Sequence, residues 1–307
     1  MKLVVILVTY NGARWLRHCM QSAFESSIPV EVVVIDNNST DNTLDILKEY
    51  PEIMVFKQSS NLGFGLANNL GISYAFNRGA DYVFLLNQDA YLQHNTLERL
   101  VEVHQSQPEF GVLSPIHLTG DGTGLDLNFS NYLQKNESLV FDSLTSNFSK
   151  SIYEVPFVNA AGWLISRQVL NTVGGFDPIF FHYGEDVNFC QRLAYHGLKI
   201  GIVPNTYLLH DRLDRNQKKK WTPKERLDIS ERKLKVVGAD INLKDDEFLK
   251  KQKRSLYKSL IKQGLQLKFR AMYHNLQELK LINRIEGEII KSRELNIKSG
   301  PNYLNIQ

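Results

Sequence analysis

Tyr82-Val83-Phe84-Leu85-Leu86-Asn87-Gln88-Asp89-Ala90 is an apolar run that ends abruptly in two amides and a carboxylate. A strand that is apolar at every position is buried on both faces, which is the habit of parallel sheets covered by helices. In open α/β sheets, ligands bind in the crevice outside the carboxyl ends of such strands. The polar cluster Asn87-Gln88-Asp89 therefore marks a ligand edge. On its own it reads equally as a turn, or as a cap for the helix expected to begin near Asn95.

Working outward, the same alternation recurs. Leu3 to Val8 is a continuous β-branched run, Leu16, Cys19, Met20, Ala23 and Phe24 repeat at helical spacing, and Val32 to Ile35 supplies a second buried strand. Ser39 is the expected N-cap of a helix through Tyr50, Ile53 to Phe56 a third strand, and Gly65 to Arg78 a further helix. The fold class is α/β, a mainly parallel sheet flanked by helices. Strand one exits through Thr9-Tyr10-Asn11-Gly12 and strand two through Asp36-Asn37-Asn38-Ser39-Thr40-Asp41, so three polar strand ends line one edge. A planar pyrimidine can rest against Thr9 and Tyr10 while Asp36 accepts from its imide N–H, an arrangement that disfavours bases lacking that donor.

Composition sets the outer limits. The 307 residues, 43% hydrophobic and 22% charged, suffice for one large domain or a domain with an appendage. Cys19 and Cys190 lie in apolar helical patterns and read as buried thiols of a reducing compartment. Leu3 to Val8 is too short for a signal-peptide core and no run reaches membrane-spanning length, so a cytoplasmic protein is expected. Residues 1–211 carry 12 Lys and Arg against 21 Asp and Glu, a net of −9, whereas residues 212–307 carry 24 against 12, a net of +12. This break separates an acidic body from a basic tail.

Val8-Thr9-Tyr10-Asn11, the stretch Val34 to Asp41, and Asn61-Leu62-Gly63-Phe64-Gly65-Leu66-Ala67-Asn68-Asn69 together resemble the opening blocks of the family 2 glycosyltransferases. Asn87-Gln88-Asp89 likewise resembles that family's Asp-x-Asp signature, with Asn87 in place of the first aspartate. The resemblance covers residues 1 to 211 and implies the GT-A fold, with a donor half to about residue 115 and an acceptor half from about 116. It implies a UDP- or dTDP-sugar donor held by Thr9, Tyr10, Asn11, Asp36, Asn38, Asn61, Gly65, Asn68, Asn87 and Gln88. It also implies Mg²⁺ or Mn²⁺ at Asp89, a hard cation that neutralises the departing diphosphate. A dinucleotide fingerprint at Gly63-Phe64-Gly65 fails, because the third glycine is Asn68 and the motif belongs after the first strand.

The second half carries Asn159 to Ser166, which resembles the family's strand beside the sugar pocket, then Gly174-Gly175-Phe176-Asp177, then Phe180 to Phe189. Glu185 and Asp186 open a helix whose apolar face is Phe189, Cys190, Leu193 and Ala194. Compensation of the helix dipole explains such a pair without any catalysis. By resemblance, Asp186 is the general base of an inverting transfer and Glu185 orients an acceptor hydroxyl. The same resemblance brings His210 to the metal as an added ligand, although a structural histidine, with Asp211 pairing to Arg212, is the plainer reading.

His182 and Tyr183 are expected to shape the acceptor pocket. Trp163 stacks on a sugar face in one reading and packs in the core in the other. Leu118 to Tyr153, poor in apolar runs, reads as loops around the acceptor site. Residues 212–307 form a helical basic extension with clusters at Lys218-Lys219-Lys220 and Lys250 to Arg254. Leu256, Leu260, Ile261, Leu265 and Leu267 suggest an amphipathic helix. Packing on the body or a homodimer comes first for it, peripheral contact with an anionic membrane second, and nucleic acid is not expected.

The reading is an inverting transfer of a hexose or deoxyhexose to a glycan or lipid-linked hydroxyl in surface polysaccharide synthesis. The sequence looks like the rhamnosyltransferase relatives, so rhamnose ranks first and galactose next. Two other classes compete. A nucleotidyltransferase needs a Gly-rich triphosphate loop with a basic residue after strand one, which is missing here. An inactive sugar-nucleotide or glycan-binding protein of the same fold would have no use for Asp89, Glu185, Asp186 and His210 together.

Overall fold

The computed structural model describes residues 1–212, 221–243 and 247–307. The cluster Lys218-Lys219-Lys220 lies outside the described residues. The chain begins with β1 (Leu3–Thr9), α1 (Ala13–Phe24), β2 (Glu31–Asp36), α2 (Thr43–Leu47), β3 (Met54–Lys57), α3 (Phe64–Asn77) and β4 (Tyr82–Asn87). Then follow β5 (Ala90–Leu92), α4 (Thr96–Ser106), β6 (Phe110–Thr119), α5 (Leu127–Leu133), α6 (Glu137–Thr145), β7 (Tyr153–Glu154), β8 (Gly162–Ser166), α7 (Arg167–Val173), α8 (Glu185–Tyr195) and β9 (Lys199–His210). Three helices complete it: α9 (Pro223–Gly238), α10 (Phe248–Leu265) and α11 (Phe269–Asn296).

One sheet carries the site, in the order β3-β2-β1-β4-β8-β6-β9-β5, with β7 paired to β9. Its first four strands are parallel. Beyond them the sheet is mixed, because β4 meets β8 and β8 meets β6 antiparallel, whereas β6 and β9 run parallel. The order reverses at β1, with β2 on one side and β4 on the other, so the loops after β1 and β4 part and leave a crevice.

Alternate residues of β1 and β2 feed two cores. Val4, Ile6, Val33 and Ile35 pack with Ala67, Ile72 and Phe76 of α3, while Leu3, Val5, Leu7 and Val34 pack with Leu16, Cys19 and Met20 of α1. Helix α3 sits close on the sheet at Gly71, where a Cβ would press on Ile6 and Ile35. Both cysteines are buried free thiols.

Several local expectations are corrected. Ser39 does not cap a helix to Tyr50: its hydroxyl accepts from the Asn11 N–H at 3.0 Å, and α2 is a five-residue helix whose start is served by Asp41. Phe24 and Ala194 face solvent, and on α8 the buried position beside Leu193 belongs to Arg192. Residues 118–153 are not only loops, since α5 and α6 lie there, each with its own cap. Asp126 accepts from Asn128 and Phe129 N–H, and Asn136 accepts from Leu139 N–H. These helices bury only Phe129, Leu133 and Leu139 as apolar anchors, so the periodic signal was faint.

The basic C-terminal helices form their own small core from Leu234, Leu249, Ile282, Ile285 and Ile289. They also grip the body. Ser292, Asn296 and Tyr303 all donate to Asp177 Oδ2, at 2.6, 2.9 and 3.0 Å. The Gly175 N–H donates to the Asn302 carbonyl at 2.8 Å.

Candidate active site

The donor wall is built from the ends of β1, β2 and β4. Asp36 is buried, and takes the Thr9 hydroxyl on Oδ1 and the Ser39 N–H on Oδ2, each at 3.1 Å. Each carboxylate oxygen keeps a second lone pair. Asn11 (φ 49°) and Asn38 (φ 68°) sit in the left-handed region, which asparagine tolerates better than most residues. The Asn11 side-chain Oδ1 accepts from Thr40 N–H at 2.8 Å and ties the two loops together. Gln88 is a brace: its Oε1 accepts from Tyr10 N–H at 2.9 Å and its Nε2 donates to the Tyr10 carbonyl at 3.2 Å. The Tyr10 ring is left about half exposed (48%), free to stack.

The loop before α3 closes this wall. Asn37, buried, donates to the Gly63 carbonyl and accepts from Leu62 N–H, while Asn61 accepts from Gly63 N–H at 2.8 Å. Gly63 has φ +82°, and a Cβ there would collide with the Phe181 carbonyl. Only glycine meets both demands. A cavity of about 420 Å³ opens here between Tyr10, Asn61, Gly63, Gln88, Asp89 and His182.

A second cavity of about 270 Å³ adjoins it, and the two share Phe64, Asn87, Asp89 and His182 in their walls. The second is lined by Asp89, His210, Arg212, Glu185, Asp186, His182 and Tyr183, with Asn128, Tyr132 and Asn159. Antiparallel pairing of β5 with the end of β9 sets Ala90 opposite His210 and so carries the histidine to Asp89. His210 Nε2 is 3.4 Å from Asp89 Oδ1 and its Nδ1 is 3.5 Å from Asp126 Oδ2. Arg212 Nε lies 3.3 Å from the same Asp126 oxygen, and Asp211 instead accepts from the Tyr91 hydroxyl at 3.1 Å. Burial works to raise the Asp89 carboxyl, but the hydrogen bond and charge of His210, with Arg212 behind, outweigh it and hold that group below the usual carboxylate range.

Glu185 and Asp186 enter the same cavity from the start of α8. Tyr183 (φ +66°) and Gly184 (φ +99°) both take left-handed backbone there, turning the acid pair into the cleft. A left-handed tyrosine is a strained position of the kind concentrated at functional sites. Asp186 Oδ1 accepts from Val187 N–H at 2.8 Å, and burial raises its pKa. Glu185 is 4% exposed, and its Oε2 has no hydrogen-bond partner. Burial first, and the neighbouring Asp186 charge second, push it up to about 7.

Not every expected residue reaches the cleft. Trp163 is fully buried and packs against Phe176 and Phe189, so no sugar face can reach it. Asn68 is buried, and its amide donates back to the Phe64 carbonyl of its own helix rather than to a donor. Gly65 serves packing: a Cβ would press on Phe176 and approach the base of Glu185. Conversely, Asp126, Arg212 and Asn37 were missed. For Asp126 there was a signal, an aspartate just before the spaced apolar residues Phe129 and Leu133, which is the pattern of a capped helix start.

A divalent ion was expected at Asp89 and His210. Among the described residues no group of three or more His, Cys, Asp or Glu side chains is placed to hold one. Asp89 and His210 offer two donors facing the cleft, which suits a cation that takes its remaining ligands from phosphate oxygens and water.

Comparison with known proteins bears on the family and the fold. The chain is similar to the N-acetylglucosaminyl-diphospho-decaprenol L-rhamnosyltransferase of Mycobacterium tuberculosis, 26% identical over 238 residues, which span 68% of this chain and 75% of that protein. Among solved structures it is similar to S. aureus TarS in complex with UDP, with TM-score 0.55 and 17% identity over 97% of this chain and 89% of the other. It is similar also to the mannosyltransferase PcManGT of Pyrobaculum calidifontis in complex with GDP-Man and Mn²⁺, with TM-score 0.55 and 17% identity over 96% and 73%. The fold is GT-A. Residues 4–174, more than half the chain, match the family described as Glycosyl transferase family 2. With polar strand ends converging on one cleft and an acid pair facing them, the chain belongs to glycosyl transferase family 2.

Proposed function

We propose that this glycosyltransferase inverts the anomeric centre of a hexose or deoxyhexose as it moves the sugar from a UDP or dTDP carrier to an acceptor hydroxyl. L-rhamnose ranks first among donors and galactose next, and a lipid-linked glycan of surface polysaccharide synthesis is the acceptor, at the cytoplasmic face of a membrane. The observation that supports this most is the shared cleft: Asp89 and Asp186 line one cavity. The similar mycobacterial protein, named for rhamnose and a decaprenol-linked acceptor, supports the choice of donor and acceptor.

In this reading the pyrimidine stacks on Tyr10 and its imide N–H donates to Asp36. Asn61, Asn87 and the edge of Gln88 border the sugar and ribose. Asp89 and His210 would hold Mg²⁺ or Mn²⁺, and the bound cation would neutralise charge growing on the diphosphate. Arg212 adds a fixed positive charge beside it. Asp186 takes the proton of the acceptor hydroxyl while its oxygen bonds to the anomeric carbon, and the bond from that carbon to the diphosphate oxygen breaks on the opposite face. Glu185, His182 and Tyr183 orient the acceptor.

The test compares donor binding and turnover. Asp186→Asn is expected to lower kcat by 10²-fold or more, on the order of what positioned base catalysis supplies, with UDP affinity unchanged. Asp89→Ala is expected to abolish the Mn²⁺-dependent part of UDP affinity measured by calorimetry. Equal loss of affinity and turnover in Asp186→Asn would remove the base assignment.

A further inference from the structure

The α10–α11 hairpin combines two surface properties. Residues 248–277 hold eight Lys and Arg and no Asp or Glu. The tip of the same hairpin exposes large apolar side chains: Ile261 is 67% exposed, Leu265 83%, Leu267 71% and Phe269 70%. By contrast Leu256 and Leu249 of α10 face inward, onto the small core with Ile282 and Ile285. The helix is thus folded and partnered on one side, and its apolar tip is surplus to that packing. Beside the tip, α9 and α11 enclose a mostly apolar groove of about 450 Å³, floored by Leu227 and Tyr273 and rimmed by Lys224, Arg226 and Arg270.

We propose that this hairpin tip docks the enzyme on an anionic lipid bilayer, with Leu265, Leu267 and Phe269 entering the headgroup layer and the surrounding Lys and Arg meeting lipid phosphates. A basic surface with protruding apolar side chains is the chemistry of interfacial anchoring, in which electrostatic attraction and apolar insertion add. A second copy of this chain is disfavoured as the occupant, because facing tips would set Lys262, Lys268 and Arg270 of one copy against the same cations of the other. Nucleic acid would leave the aliphatic Ile261, Leu265 and Leu267 in water. No helix among the described residues is long and apolar enough to cross a membrane.

Position relative to the cleft fits the same role. Ser230 of α9 donates to Glu278 of α11 at 2.6 Å, and two residues further on Arg232 lies 5.1 Å over the ring of Tyr183, which lines the catalytic cavity. From Glu278 back to Phe269 is about 14 Å along the helix axis at 1.5 Å per residue. The tip therefore belongs to the helical unit whose α9 packs on Tyr183, and an anchor there would hold the cleft near the surface where a lipid-linked hydroxyl lies. This last step rests on the proposed acceptor class; the anchoring itself does not.

Co-sedimentation of the full chain with phosphatidylglycerol and with phosphatidylcholine vesicles tests it, with no sugar donor present. Binding is expected to phosphatidylglycerol, to weaken as NaCl is raised, and to be at least about tenfold poorer to phosphatidylcholine. Leu265→Glu with Phe269→Glu should cut partition by about a hundredfold. These side chains are exposed, so the thermal midpoint and the hydrolysis of donor in solution should stay as in wild type, which separates failure of the anchor from failure of the transferase reading. No binding to anionic vesicles, or binding that the double variant retains, would overturn the proposal. So would a dimer in light scattering that the double variant dissociates, or a short single-stranded RNA that binds at this face more tightly than the vesicles do.

Discussion

Replacing Glu185 by Gln should stabilise the protein at neutral and alkaline pH, and the size of the effect follows from the burial of its carboxyl. In the folded protein that group titrates at about 7 against an ordinary 4.5, because burial, and then the Asp186 charge, disfavour its ionised form. The native state therefore binds more protons than the unfolded chain between these values, and stability falls as pH rises through this window. The gap corresponds to about 3 kcal/mol of stability present below pH 4.5 and lost above 7. A Gln side chain is never ionised, so it escapes this loss. Its buried N–H group, set where Oε2 has no partner, forfeits about 1 kcal/mol in return. Urea unfolding at pH 5 and pH 8 measures the difference. Glu185→Gln is expected to exceed wild type by about 2 kcal/mol at pH 8 and to match or trail it at pH 5. A variant with the wild-type pH dependence would refute the reasoning, because the acid would then be solvated or paired. Stabilisation on removal of an active-site acid is the usual mark of a group kept for chemistry at the expense of the fold.

Two further outcomes follow from the same geometry. Gly63→Ala must escape a positive φ and a collision with the Phe181 carbonyl, so the loop shifts; UDP affinity should fall at least about tenfold in calorimetry, with a loss of about 1–3 kcal/mol in urea. Arg192 is fully buried and donates to the Val173 and Gly175 carbonyls at 2.7 and 2.6 Å and to Asn188 at 3.0 Å, so Arg192→Met, which strands three acceptors, should lose about 3–5 kcal/mol of stability. An unchanged urea midpoint in Arg192→Met would mean that the turn before α8 is held by other contacts.

The parallel half of the fold was legible because β1, β2 and β4 are apolar at nearly every position, and burial on both faces leaves few other structures open to such runs. Polar residues at their ends then located the cleft, since a strand that must exit the core exposes its last residues along one edge. What was hidden depended on pairing across long stretches of chain. Only the family resemblance anticipated His210 beside Asp89; the β5–β9 register is what brings them together, and nothing near either residue encodes it. Asp126 was hidden in a segment whose helices bury too few apolar side chains to show a period. Asn68 was misplaced, and Trp163 left open between cleft and core, for another reason: residues with both polar and apolar parts fit core and cleft equally, and only their neighbours decide. For Trp163 the neighbours are Phe176 and Phe189.

The charge break after residue 211 also needs a mechanical reading. It separates an acidic body from a basic extension in composition, yet the contacts run across it. Asp177 Oδ1 accepts from Ile179 N–H within the turn that leads to Tyr183 and Gly184, and its Oδ2 takes three donors from residues 292–303. Arg192, whose burial lowers it to about 10, closes the same turn from α8. Lys235 of α9 donates to the Ile179 carbonyl at 2.8 Å, and the side chain of Val236 sits against Gly184. A left-handed tyrosine ahead of a buried acid pair costs free energy, and such strain persists only where the surroundings over-determine it. Much of that over-determination comes from the C-terminal helices. The extension thus acts as the outer half of the frame around Glu185 and Asp186, and its basic hairpin projects from the same frame, so the surface proposed to meet lipid and the acids proposed to meet the acceptor are held by one set of contacts.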